Sequence, residues 1–172
     1  MAKVKAVVPE TVFPHGYAIL NADDDLVYKM KEDLKCNVAL FSMDENNPRI
    51  KAHCGGGGLA TVFENGYVSI MKGTWKIRVM PVKDIPLTYE GKAVHNIANC
   101  LPAILATYLF RDITIEDIRS ALVSFVPSST QTPGRLNFFH FKQFTMLADF
   151  AHNPHGLKLL CYFISKLDYP SR

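Results

Sequence analysis

Three short segments carry side chains whose types and spacing suit chemistry. In His95-Asn96-Ile-Ala-Asn99 the polar positions are three and four apart, so on a helix they share one flank. A carboxamide offers a donor and an acceptor at fixed separation, the pattern that reads an adenine edge. The same residues serve equally as polar packing at a helix start. In Pro133-Gly134-Arg135 a glycine-freed turn delivers an arginine. Its planar fork suits a bidentate phosphate contact or an ordinary surface ion pair. Asp149-Phe-Ala-His152-Asn153-Pro154 reads as a strand end and a tight turn into a helix, whose N-terminal amides point outward at an anion. Asp149 would then accept from ribose hydroxyls and His152 donate to a phosphate. The alternative is an N-cap beside a solvent-facing histidine.

Other segments exclude chemistry. Gly55–Gly58 is followed by neither Gly-Lys-Ser/Thr nor a helical pattern, so it reads as a flexible turn rather than a phosphate loop. His15, His53, His140 and His155 have no metal-ligand spacing with one another or with the cysteines, and no metal site is expected. Cys36, Cys54, Cys100 and Cys161 are scattered and read as reduced, mostly buried thiols of a cytoplasmic protein. A net charge of +3 without a basic stripe gives nucleic acid little support as a partner, and no apolar run reaches the roughly 18 residues of a membrane span. Hydrophobic residues at 48% against 20% charged describe a packed globule, not a disordered chain.

The elements that must position these residues follow from periodicity. A helix tail or strand edge at 2–8 precedes a strand at Tyr17–Leu20, then an acidic cluster capping a helix with Leu26, Val27, Met30 and Leu34 on one face, then a strand at Asn37–Ser42. Strand–helix–strand indicates α/β organisation. Asn65-Gly66 between β-rich runs predicts a hairpin, and Leu59–Val79 a three-stranded antiparallel meander. From Gly91 the period turns helical, with Val94, Ile97, Ala98, Leu101, Leu105 and Tyr108 on one face and Pro102 expected to kink or split the helix. Thr114-Ile-Glu-Asp117 is a capping box opening a second helix that turns Ile118, Leu122 and Phe125 inward. Pro127–Gly134 reads as a linker. Two strands, Leu136–Phe141 and Phe144–Phe150, lead to a helix capped by Asn153-Pro154 with a core face of Leu157, Leu160, Cys161, Ile164 and Leu167. One strand–helix unit of that size cannot bury a core alone, so the second domain is expected to be cut short.

Taken together, Gly16-Tyr-Ala-Ile-Leu-Asn21-Ala-Asp-Asp24, Gly91-Lys-Ala-Val-His-Asn96-Ile-Ala-Asn99, Thr132-Pro-Gly-Arg135-Leu-Asn137 and Asp149-Phe-Ala-His-Asn-Pro154 resemble the Mur ligase superfamily, in order and across nearly the whole chain. The resemblance implies residues 1–131 as the later part of a central ATPase domain. It implies 132–172 as the start of a Rossmann-like C-terminal domain, with 127–134 in the hinge. It also implies an ATP- and Mg2+-dependent amide-bond ligase acting through an acyl phosphate, with an amino-acid or peptide acceptor, in a branch that adds Asp and Arg to a growing polypeptide. By motif, Asn96 and Asn99 would meet adenine with His95 beside them, Arg135 the phosphates, Asp149 the ribose, and His152 the ribose or phosphates.

The family's Gly-x-x-Gly-Lys-Thr/Ser loop and Mg2+ ligands are expected before the Asn21–Asp24 segment, where only 20 residues stand and none forms such a loop. The expectation is therefore a fragment that does not turn over ATP by itself, since the γ-phosphoryl charge lacks its main stabiliser. No catalytic residue is assigned. Exposed core surface would favour self-association into a homo-oligomer. The alternative class is a nonenzymatic binding or scaffolding module that kept the fold without the chemistry.

Overall fold

The computed structural model describes residues 2–167. Helix α1 (Ala2–Glu10) leads into strand β1 (Tyr17–Asn21). The acidic cluster then does what its composition predicts: Asp24 accepts from the backbone N–H groups of Leu26 and Val27 and starts α2 (Asp25–Lys29), which a 3-10 turn extends to Asp33. Val27, Met30 and Leu34 pack inward, whereas Leu26 is exposed. Strand β2 (Asn37–Ser42) pairs parallel to β1, as strand–helix–strand requires.

Helix α3 (Pro48–Gly55) was not anticipated. Asn47 caps it through Arg49 N, Pro48 opens it, and Ile50 and Cys54, one turn apart, are its buried contacts. The four glycines end this helix, with Gly56 at its C-cap and Gly57 at φ +86°. Strands β3 (Leu59–Glu64), β4 (Tyr67–Lys72) and β5 (Trp75–Pro81) form the expected meander. Asn65 and Gly66, at φ +46° and +82°, supply the two left-handed residues that a two-residue hairpin turn needs. The meander is not a separate sheet. Strand β3 also pairs parallel to β2, giving one five-stranded mixed sheet in the order β1-β2-β3-β4-β5.

Alternation along the strands sends side chains to two cores. Leu20, Leu40, Ala60 and Val62 meet α3 and the α2 region on one face. Ala39, Leu59, Val68 and Ile70 meet α4 (Val94–Tyr108) and α5 (Ile115–Ser124) on the other. Helix α4 runs through Pro102 as one helix, so of the expected kink or split the split does not occur. Its buried face is Ile97, Cys100, Leu101, Ile104 and Leu105, so packing against the sheet compensates the proline. The capping box of Thr114 and Asp117 is present; Ile118 is buried but Phe125 is exposed.

After the loop at 125–136 come β6 (Asn137–His140), β7 (Thr145–Ala148) and α6 (Pro154–Ser165). The two strands form an antiparallel ribbon of their own. The α6 face differs from its prediction. Phe163 is its buried residue, packed with Leu136 and Ala93, with Leu160 and Leu167 beside it, while Leu157, Cys161 and Ile164 are exposed. Periodicity marked an apolar stripe correctly but not which edge of it meets the ribbon. All four cysteines are free, and only Cys54 and Cys100 are buried. Among the described residues no helix is long and apolar enough to cross a membrane.

One charge lies under the sheet. Glu64 is 2% exposed at its side chain and accepts from Ser69 Oγ at 2.6 Å and Lys76 Nζ at 2.5 Å, with Arg78 Nε at 3.4 Å. Burial alone would raise its pKa; the hydrogen bonds from Lys76 and Ser69 outweigh it and hold the carboxyl down to about 2. The folded value lies below the unfolded one of 4.5, so the stabilisation is complete above that pH and lost as pH falls towards 2. Glu64→Gln is expected to cost on the order of 2 kcal/mol in urea unfolding at pH 7, with the gap to wild type narrowing steadily below pH 4.5.

Candidate nucleotide cleft

The six residues singled out in the sequence line one cleft of about 500 Å³. Its walls are the first turns of α4, the 125–136 loop, and the turn that follows β7 into α6. His95, Asn96 and Asn99 come from the first wall, Arg135 from the second, and Asp149 and His152 from the third.

On α4 the two carboxamides differ. Asn96 Nδ2 donates to the carbonyl of Leu87 at 2.8 Å, which fixes the amide and leaves Oδ1 as its acceptor. Asn99 is exposed, and among the described residues its side chain makes no hydrogen bond. The flank therefore presents one oriented acceptor and one adaptable amide. His95 lies edge-on to Phe163, with ring centroids 6.5 Å apart. Burial pushes its pKa below the ordinary histidine value, and the charge of Asp149 partly restores it.

Asp149 has a structural task that the sequence did not disclose. Its Oδ2 accepts from Leu136 N at 3.0 Å and its Oδ1 from Ala151 N at 2.8 Å. Each oxygen keeps a further lone pair for another donor. Phe150 N donates to the carbonyl of Gly134 at 2.8 Å, so the loop and the turn are joined by backbone as well. The Arg135 guanidinium lies 5.5 Å over the Phe150 ring and is the only lysine or arginine among the described lining residues. His152 Nδ1 is 3.0 Å from the carbonyl of Phe150. A carbonyl can only accept, so in that contact Nδ1 carries the proton, and in the neutral ring Nε2 is an acceptor. Asn153 Oδ1 caps α6 through Gly156 N at 2.8 Å, and the positive end of the helix dipole faces the same space.

Phe125, Phe150 and Leu87 line the cleft without having been expected there. The two phenylalanines carried only their apolar character as a signal, which pointed to core. Leu87 contributes a backbone carbonyl, which no residue type announces. Among the described residues no group of three or more His, Cys, Asp or Glu is arranged to hold a metal.

No family model matches the chain. Individual relatives do. Cyanophycin synthetase of Geminocystis herdmanii is 46% identical over 164 residues, covering 95% of this chain and 19% of that protein. Cyanophycin synthetase of Synechocystis sp. matches with the same identity and coverage. The UDP-N-acetylmuramate–L-alanine ligase of Acetivibrio thermocellus is 27% identical over 170 residues, covering 95% of this chain and 31% of the ligase. The chain is thus similar to a class of ligases that includes cyanophycin synthetases and, more distantly, Mur ligases. Within that class it matches a Mur-ligase-like segment of cyanophycin synthetase, spanning about a fifth of the length of those relatives.

Because the neutral form of His95 is favoured by folding, its folded pKa lies below the unfolded value of 6.5, and the chain loses stability as pH falls through that value. An imidazole proton titration followed by NMR is expected to place His95 below 6.5, and Asp149→Asn to lower it further by removing the neighbouring negative charge.

Proposed function

We propose that the cleft binds ATP in a ligase that activates a carboxylate for amide-bond formation. The observation that carries this reading is the convergence of three separated segments on one hollow with graded chemistry. Two carboxamides, a carboxylate, an arginine and a helix N-terminus line it together. That set offers partners for a nucleotide's base, ribose and phosphates. Asn96 and Asn99 meet the adenine with His95 alongside, Asp149 the ribose, Arg135 the phosphates, and His152 the ribose or phosphates.

In this reading residues 1–131 are the later part of the central ATPase domain of a Mur ligase and 132–172 the beginning of its C-terminal domain, with 127–134 in the hinge. The reaction transfers the γ-phosphoryl group of ATP to a carboxylate oxygen, releasing ADP. An amine then attacks the acyl carbon, phosphate leaves, and the amine gives up a proton. In this reading the amino acids added to a growing polypeptide are Asp and Arg, as the resemblance to the family implies. Mg2+ would supply charge neutralisation at the phosphates, but no residue described here is assigned to it. Residues 1–172 contain no phosphate loop with its lysine, so the chain by itself is read as a nucleotide-binding wall without turnover.

Titration with ATP is expected to shift backbone amide signals at 95–99, 134–136 and 149–153. Asn99→Ala should weaken binding by roughly threefold to tenfold, the worth of one net hydrogen bond. Shifts confined to another surface, or ATP hydrolysis by the pure chain, would sink the assignment of the cleft or of its inactivity respectively.

A further inference from the structure

The turn that carries Arg135 is built around a residue so far unassigned. Asn137 is 5% exposed, and its amide is fully engaged within the turn. Its Oδ1 accepts from Gly134 N at 2.7 Å, while Nδ2 donates to the carbonyls of Thr132 at 3.0 Å and Arg135 at 3.2 Å. Arg135 N closes the same loop onto Thr132 O at 3.0 Å. Arg135 stands between two left-handed residues, Gly134 at φ +68° and Leu136 at φ +47°. A non-glycine residue holds that conformation only where its surroundings over-determine it.

We propose that Asn137 is a positioning residue for phosphate recognition: its amide fixes the backbone direction from which Arg135 reaches the cleft. The proposal rests on the nucleotide reading given above and extends it to a residue that does not line the cleft. Only a carboxamide meets the requirement, since the turn presents one inward N–H and two inward carbonyls to a single side chain. Aspartate, of the same shape, accepts from Gly134 N but sets a negative charge against the carbonyls of Thr132 and Arg135. An arginine rooted in a loosened turn loses the fixed approach that makes a bidentate contact worthwhile.

The test compares ATP with adenosine, which lacks the phosphates, both titrated into the 172-residue chain and followed by amide NMR shifts. Wild type is expected to bind ATP more tightly than adenosine, and Arg135→Ala to remove that margin. Asn137→Asp is expected to weaken ATP about tenfold, the loss of one charge-assisted contact, with adenosine affinity within about twofold of wild type. Gly134→Ala provides a second route, read even if Asn137→Asp does not fold. Its added Cβ meets nothing within 4 Å, so it perturbs the turn through the positive φ alone. The same selective loss is expected. An unchanged ATP-to-adenosine ratio in both variants, or proportional loss of both ligands, overturns the positioning role while leaving the nucleotide reading intact. Failure of wild type to bind either ligand overturns that reading and this proposal with it.

Discussion

A buried leucine in left-handed backbone holds the cleft together. Leu136 is 2% exposed at φ +47°, and it is gripped at three points. Its N–H donates to Asp149, its carbonyl accepts from the Tyr89 hydroxyl at 2.7 Å, and its side chain packs with Ala93 and Phe163. These grips come from three different stretches of chain. Tyr89 and Ala93 precede and open α4, Asp149 follows β7, and Phe163 lies on α6. The conformation that a leucine would not choose is therefore also the joint between the large sheet and the small ribbon. Two of the cleft's three walls are set by it, because Arg135 is its neighbour in sequence and Asp149 its hydrogen-bond partner.

Behind that joint stands a scaffold whose rigidity has a simple origin. Helix α4 lies across β1, β2 and β3 and buries five residues against them, so its N-terminal turns enter the cleft from a fixed support. Thr61 Oγ1 donates to the Leu101 carbonyl at 2.9 Å, a polar stitch inside an otherwise apolar contact. Asn96 then passes the order outward by holding the Leu87 carbonyl. The chemistry-bearing flank of α4 is thus the solvent side of a helix whose other side is core.

Much of this was legible in the sequence, and the misses have physical reasons. Tertiary convergence of the six polar residues followed from motif order, which carries information about the fold that periodicity lacks. The Asn-Gly hairpin and the capping box at Thr114 followed from turn and cap chemistry, which is local, whereas the joining of the meander to β2 in one mixed sheet is a non-local pairing that local chemistry does not mark. Helix α3 carries the same Asn-Pro start at 47–48 that announced α6 at 153–154, but the glycines after Cys54 drew its last turn into an apparent loop. Pro102 argued for a break that burial of Ile97, Leu101 and Leu105 overrode. The inward face of α6 was misjudged because an amphipathic stripe does not say how narrow its partner is, and a two-stranded ribbon covers only Phe163 and its flanks. The backbone duties of Asp149 and Asn137 had no signal, since their hydrogen bonds to main chain lie outside the helix-cap patterns by which residue type marked Asp24, Thr114 and Asn153.

The ribbon of β6 and β7 has a consequence for occupancy. A two-stranded sheet is marginal by itself, and one face of this one, with Phe139 and Met146 paired across it, remains largely exposed. The third wall of the cleft is thus carried by the turn between this small sheet and α6, while the first is carried by a helix packed on the main core. Any opening of the ribbon would scale the apparent affinity at the cleft by the closed fraction. By the same linkage, a molecule that bridged α4 to the turn at Asp149 would favour the closed arrangement of the ribbon and α6.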